Sequence, residues 1–375
     1  LPLTLLFAAS LTSCAAHSFP LTNQFINPTK TACEATTPSP CQTADRVEVF
    51  ADVNGTLFPS GWRAFVHPRM SAKRPGEGRW RAGNLLAQSA NNRRFRRLIE
   101  GDQTRQLAQL RDFAASHQRI FILIHGFNSS VAEAEEPFAA IETALELKPG
   151  DGVIRFYWDG LIGKGVGAIR IWLNAANASQ LVGSNALRPI LNQIEHKSVY
   201  MIAHSRGASV ALSAIGNPVY NSGFANKERA RGRGWGKAYR EILSPPPLQD
   251  NGNSIDLLLL APAIDRIDFC DASEQPKRSK GFVCTKFRSL GDQVKRIAYT
   301  VNSGDPVLGK FLLSPRALIA TSFGYQVDVG RLLKAEQYPI LREYEFVKPE
   351  AFHDFKLYLA NPIFSQMLID AGIRR

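Results

Sequence analysis

"MIAHSRGASVAL", residues 201–212, is the stretch on which the reading of this chain turns. An apolar run ends at Ala203, and Ser205 follows between His204 and Arg206. Gly207, Ala208 and Ser209 come next, all with very small side chains. The run "SVYMIA", 198–203, reads as a buried strand. "RGASVALSAI" reads as a helix, stopped by "GNP" at 216–218. A serine exposed at such a join sits in a turn with strained backbone. Residues two positions to either side pass close to one another and must be small, a need that Ala203 and Gly207 meet. A helix starting at Arg206 aims its N-terminal N–H groups at the serine, where they stabilise negative charge.

The same alternation extends outward. "RVEVFADV" (46–53), "RIFILIHGF" (119–127), "GVIRFYW" (152–158), "IDLLLLAPAI" (255–264), "VKRIAYTV" (294–301) and "EYEFV" (343–347) read as strands. Between them, "QTRQLAQLRDFAASH" (103–117) carries Leu107, Leu110, Phe113 and Ala114 at helical spacing. "EEPFAAIETALELK" (135–148) reads as a helix with Pro137 near its first turn. A further helical stretch ends near Glu195, and a last helix covers roughly 354–371. Strands alternating with helices predict an α/β domain, with a mostly parallel central sheet covered on both faces. Two segments break the rhythm, at about 219–253 and 266–293. Both follow elements close to Ser205 and are expected to be insertions near the site.

With its elbow in place, the chain resembles the α/β-hydrolase superfamily. It is most similar to bacterial members that carry HGF or HGYN after the third strand and AHSxG at the elbow. The matching residues are His125-Gly126-Phe127-Asn128 and Ala203-His204-Ser205-Arg206-Gly207, and the resemblance covers roughly 100–375. The first glycine of G-x-S-x-G is Ala203 here, still small enough for the turn. The resemblance implies an α/β-hydrolase fold and the chain order nucleophile, acid, histidine. Ser205 is then the nucleophile. Histidines stand at 17, 67, 117, 125, 196, 204 and 353, and only His353 follows Ser205. It lies shortly beyond the last predicted strand, where the base belongs. Two aspartates compete for the acid. Asp305, in the Gly-Asp-Pro turn of "VNSGDPVLG", is preferred, and Asp265, at the end of "APAID", is the alternative. The oxyanion hole is expected from the backbone N–H groups of Arg206 and Phe127. Gly126 lets the chain turn inward there, so His125, Gly126 and Gly207 support the site. His125 and His204 are expected to pack rather than act as bases.

Such a constellation transfers acyl groups to water through an acyl-serine and calls for no metal and no cofactor. Cleavage of an ester or lipid substrate, as by a carboxylesterase or lipase, is the expected reaction. A thioesterase or amidase would use the same triad. The alternative of another class is a non-catalytic envelope binding protein that keeps the fold. Arg229, Arg231, Arg233, Lys237 and Arg240 would meet lipid phosphates if substrate lies at a membrane.

The 375 residues, 45% of them hydrophobic, can fill one large core. A formal net charge of +12 points to anionic surroundings. "LPLTLLFAASLTSC" carries no charge and is far shorter than the ~20 apolar residues that cross a bilayer. Residues 1–13 read as the hydrophobic region of a secretory signal. The ending "LTSC" resembles a bacterial lipobox, which implies a lipid on Cys14 and attachment to a membrane. Ala15 in place of aspartate implies the outer membrane, facing the periplasm. Export leaves no role for nucleic acid as a partner. Residues 14–45, rich in Pro, Thr and Ser, read as a tether, and 46–375 as the hydrolase domain. Cys33, Cys41, Cys270 and Cys284 are an even set in an exported chain and suggest two disulfides. Cys33–Cys41 and Cys270–Cys284 is the simplest of three pairings. There is no CxxC pair, so no metal site is expected.

Overall fold

The long apolar runs become the middle of one parallel sheet. The computed structural model describes residues 41–42, 44–58, 85, 93–129, 131–160, 175–220, 224–226, 229, 241–271, 273, 286–309 and 321–375. The strands are β1 (Cys41–Gln42), β2 (Arg46–Ala51), β3 (Arg119–Ile124), β4 (Asp151–Trp158), β5 (Ser198–His204), β6 (Ser254–Leu260), β7 (Val294–Val301) and β8 (Leu341–Glu345). Their order is β1-β2-β4-β3-β5-β6-β7-β8. β2 to β8 are all parallel, and β1 pairs antiparallel with β2 at one edge. β1 thus falls within the stretch expected to be tether.

A continuous apolar run is required because the strands are buried on both sides. In β3, Ile120, Ile122 and Ile124 join one apolar layer, while Phe121 and Leu123 join the other. The helices are α1 (Arg93–Ala115), α2 (Val131–Leu145), α3 (Arg188–Leu191), α4 (Gly207–Ile215), α5 (Val327–Glu336), α6 (Phe355–Ala360) and α7 (Pro362–Asp370). α3 ends a helical stretch over 175–191 that contains a π-helical turn at Gly183–Leu187. α4 and this stretch supply Val210, Ala211, Leu187 and Ile190 to the first layer. α2, α6 and α7 supply Phe138, Ile141, Tyr358 and Phe364 to the second. The fold is the expected α/β-hydrolase arrangement, with helices on both faces.

Element boundaries differ where tertiary contacts outweigh local signals. α1 starts at Arg93, ten residues before its predicted start, because Phe95 and Ile99 are buried. α2 starts at Val131, so Pro137 lies inside the helix rather than in its first turn. There it forgoes one backbone hydrogen bond. The single final helix is two, broken at Asn361, whose side chain accepts from Ile363 N–H and caps α7. α5 was not anticipated from the sequence, and β8 lies two residues earlier than predicted.

The topology creates the crevice. From β3 the chain moves toward β2 to form β4, then crosses back to form β5 on the other side of β3. The connections therefore diverge between β3 and β5. Ligands bind at such a switch point, beyond the carboxyl ends of the strands. α4 is anchored at its far end by the fully buried Arg188. Its guanidinium donates to Ala214 O (2.9 Å), Ser213 O (2.7 Å) and Gly216 O (3.0 Å), carbonyls the helix leaves over.

In the first insertion, Ile242 O accepts from Asn185 Nδ2–H, which also donates to Asn54 O just past β2. Residues 246–253 bond to Arg188, Asn192, Ile194 and His196, at the opposite end of the sheet. They fill the approach to β6. Cys270 and Phe287 pair in an antiparallel bridge, and the buried Arg288 lies beneath the C-terminus of α4, against Leu212 O and Gly216 O. The expected signal segment, Cys14, Cys33, Cys284, Arg231, Arg233, Lys237 and Arg240 lie outside the described residues. Among the described residues, no helix is long and apolar enough to cross a membrane.

Candidate active site

Ser205 directly follows β5 with φ = +53°, a left-handed backbone on a non-glycine residue. Such a conformation costs about 1–3 kcal/mol and persists only where its surroundings hold it. Here Ser205 N–H donates to Leu260 O (2.9 Å), and Ala263 N–H donates to Ser205 O (3.1 Å). The chain leaving β6 thus clamps the turn on both sides. Arg206 is the N-cap of α4, so the first turn of that helix faces the serine. The small residue at 207 answers to the neighbouring strand rather than to crowding within the turn. A Cβ on Gly207 would lie 2.6 Å from His125 O and 2.9 Å from Ile124 O.

The loop after β3 is drawn to the same place. A Cβ on Gly126 would lie 2.9 Å from Ser205 Cβ, so this glycine lets the backbone lie directly against the serine. His125 fixes the loop from below. Its Nδ1 bonds Gly126 O (2.9 Å), while its Nε2 accepts from Trp158 N–H (3.1 Å). Because an amide N–H can only donate, Nε2 is the bare nitrogen and Nδ1 carries the proton. Trp158 Nε1–H returns a bond to His125 O (2.8 Å). Burial lowers the imidazole pKa to about 4, so the ring stays neutral. Asn128 completes the loop at φ = +57°, its N–H donating to Gly160 O (2.9 Å). Phe127 packs beside Val53, Ala175 and Ala178.

Ser205, His353 and Asp305 come together although 48 and 148 positions separate His353 from the other two. His353 stands between β8 and α6, and Asp305 in the turn after β7. His353 Nε2 lies 2.8 Å from Ser205 Oγ, and His353 Nδ1 lies 2.7 Å from Asp305 Oδ2. Asp305 is 1% exposed, yet its carboxylate has donors on both oxygens. Oδ1 accepts from Val307 N–H (2.9 Å) and Leu308 N–H (3.0 Å), and Oδ2 accepts from Tyr358 Oη–H (2.9 Å) as well as from His353. Asp265 is employed elsewhere. Its carboxylate accepts from Arg266 N–H (2.7 Å) and from Ser322 Oγ–H, capping a short 3₁₀ turn at Arg266–Phe269.

His204 does more than pack. Its Nε2–H donates to His353 O (3.1 Å), and its ring stacks on Phe355 at 4.4 Å and 9°. Burial holds its pKa well below the ordinary histidine value, with the His353 ring adding to the shift. A neutral imidazole thus ties the elbow to the loop that carries His353. The sequence reading also missed Tyr358 and Asn302. Asn302 Oδ1 accepts from Gly304 N–H (3.0 Å) and Glu350 N–H (2.9 Å), and its Nδ2–H donates to Glu350 O (2.8 Å). It links the Asp305 turn to the chain leading into His353. The only signal for either was position: Asn302 opens the turn that holds Asp305, and Tyr358 follows His353 by five residues.

Chemically, the arrangement provides a hydroxyl, an imidazole nitrogen within reach of its proton, and a carboxylate that orients the imidazole. Two backbone loops, at Gly126-Phe127 and Ser205-Arg206, converge beside the hydroxyl. Among the described residues, no group of three or more His, Cys, Asp or Glu side chains is placed to hold a metal ion.

Residues 102–315 match the model of a family described as alpha/beta hydrolase of unknown function (DUF900). The match includes Ser205 and Asp305 and ends before His353. Two solved structures of acetyl xylan esterase are similar at 9% identity and a TM-score of 0.27. They cover 59% and 60% of this chain and 95% and 97% of their own. A search of curated proteins finds no significant match. With more than half of its length matched by that family model, the chain belongs to this family of α/β hydrolases of unknown function.

Proposed function

We propose that this hydrolase cleaves carboxylic esters through an acyl intermediate on Ser205. The observation that carries the reading is the unbroken line from Ser205 Oγ through His353 to Asp305, at 2.8 and 2.7 Å. These are working distances for proton transfer. With Nδ1–H donated to Asp305, the lone pair of His353 Nε2 faces the serine. It takes the Oγ proton as Oγ bonds to the ester carbonyl carbon, and the carbonyl π electrons move to oxygen. The backbone N–H groups of Phe127 and Arg206 receive that oxyanion. When the C–O bond to the alcohol breaks, His353 returns the proton to the departing oxygen. Water then repeats the sequence on the acyl-serine, releasing the acid and restoring the Ser205 hydroxyl. Asp305 stabilises the imidazolium in both halves.

An organofluorophosphonate probe tests this directly. It phosphonylates an activated serine, expelling fluoride. Expected is a single adduct on the peptide containing Ser205, with hydrolysis of a short p-nitrophenyl ester lost in step. Silence in the folded protein would reject catalysis and favour a binding protein built on this fold. Thioester and amide analogues, run beside the ester, assign the bond type.

We propose in addition that the protein is anchored by lipid at Cys14, on the strength of "LTSC" at 11–14. This would hold the site near a membrane and its lipid esters. Mass spectrometry of protein expressed in bacteria is expected to find acyl groups on Cys14. An unmodified peptide running through residue 14 would overturn it.

A further inference from the structure

Deletion of a single oxygen, on Tyr358, tests whether the line of groups at the site stops at Asp305. Tyr358 stands on α6, with its hydroxyl 2.9 Å from Asp305 Oδ2. That is the same oxygen that meets His353 Nδ1. Because a carboxylate can only accept, the phenol donates. Asn302 Nδ2–H lies 3.3 Å behind the phenol oxygen and donates to it. The ring is 1% exposed and is held edge-on by Phe346 (5.4 Å) and Phe352 (5.1 Å). It therefore has little freedom to leave.

We infer that Tyr358 is a positioning residue for the acid–base pair: its hydroxyl bond to Asp305 Oδ2 sets how strongly Asp305 attracts the His353 proton. The inference rests on the serine-hydrolase reading above for its consequence in catalysis, but not for its physics. Among the described residues, four donors share the charge of Asp305, namely Val307 N–H, Leu308 N–H, His353 and Tyr358. Each donor withdraws charge density from the oxygens. Removing the phenol concentrates the charge on the oxygen that faces His353, so the imidazolium becomes more stable. It also frees Oδ2 to shift, which loosens the aim of Nε2 at Ser205. Burial, followed by the Asp305 charge, raises the Tyr358 pKa, so the phenol remains a donor throughout the working range.

Among the described residues, few other charges face the pair. His204, neutral and buried, comes from the end of β5, with neutral His125 behind it in the loop after β3. On the segment itself Asp354 is exposed and caps α6. Lys356 is exposed and pairs with Glu136 of α2. Glu350 is exposed and meets Asn302 through its backbone. None of these touches the Asp305 carboxylate, so the phenol is the side chain beside His353 that tunes it.

The test is Tyr358→Phe in the full chain, with the His353 ring followed by NMR over pH. The midpoint is expected to rise by about one unit, the scale of one hydrogen bond to a charged group. The acid limb of kcat/KM should move up with it, and kcat should fall about tenfold at unchanged KM. An unmoved His353 midpoint with a lower melting temperature would make Tyr358 a packing residue and overturn the inference. A second variant covers a loss of folding. 3-Fluorotyrosine at 358 keeps the ring and makes the phenol a stronger donor, so the midpoint should move down. A shift in the same direction as in Tyr358→Phe, or none, overturns the inference too. Failure of the fluorophosphonate to label the unaltered protein would remove the hydrolase reading alone, since the His353 titration needs no turnover.

Discussion

Ser205→Ala is expected to remove ester hydrolysis, by roughly 10⁴-fold or more, while leaving the fold intact. The size follows from losing the nucleophile of a unit whose members act together. Retention of the fold follows from what the hydroxyl touches. Its described bond is to His353 Nε2, while the clamp on the turn is made by backbone groups of Ser205, Leu260 and Ala263. Alanine keeps those bonds and carries the same left-handed strain as serine. The check is hydrolysis of a short p-nitrophenyl ester by the purified variant, with circular dichroism and thermal melting beside it. The variant should also lose fluorophosphonate labelling. Turnover at the unaltered rate in a pure, folded Ser205→Ala protein would take Ser205 out of the mechanism.

Asp305→Asn should lower kcat by about 10⁴-fold, the size of the effect when a serine protease loses the same partner. The local hydrogen bonds say why. Val307 N–H and Leu308 N–H both point at Oδ1, so the carboxamide must place its carbonyl oxygen there. The NH₂ group then falls where Oδ2 was, facing His353 Nδ1. It can only donate, so Nδ1 becomes the acceptor and the ring proton moves to Nε2. That nitrogen can no longer take the proton of Ser205. The NH₂ group also leaves the Tyr358 hydroxyl without its acceptor. Asp265→Asn should cost less than about tenfold in kcat. Its expected effect is on stability, about 1 kcal/mol for a weakened cap, because Asp265 holds Arg266 N–H and Ser322 rather than a histidine. Initial rates and urea unfolding of the two variants separate these outcomes. Reversed ranks would make Asp265 the acid.

How far the site could be read from the chain depended on whether its cause is local. The elbow is a matter of adjacent residues: an apolar strand, a serine, then Gly207 and a helix. The choice between Asp305 and Asp265 is of another kind, since both stand just past strands that are neighbours in the sheet. What separates them is the course of the next segments. Asn302 ties the Asp305 turn to Glu350, bringing it beside the loop of His353, whereas Asp265 folds onto its own 3₁₀ turn and Ser322. His204 shows the same limit. It follows a buried strand and suggests packing, and only the returning chain supplies the His353 carbonyl that makes it a tie.

The sequence by itself determined the fold class and the place of the serine. Strand and helix periodicity and the strand–serine–helix join are patterns of neighbours along the chain, whereas the smallness of Gly207 answers to Ile124 O and His125 O across from it. Tertiary structure decided the strand order and the early start of α1, where four arginines crowd a helix end that disfavours positive charge. Burial of Phe95 and Ile99 offsets that local cost. Tertiary structure also decided which carboxylate reaches His353 and what lies behind it. Those outcomes depend on contacts between residues tens to hundreds of positions apart, and such contacts exist only once the sheet has set the distances.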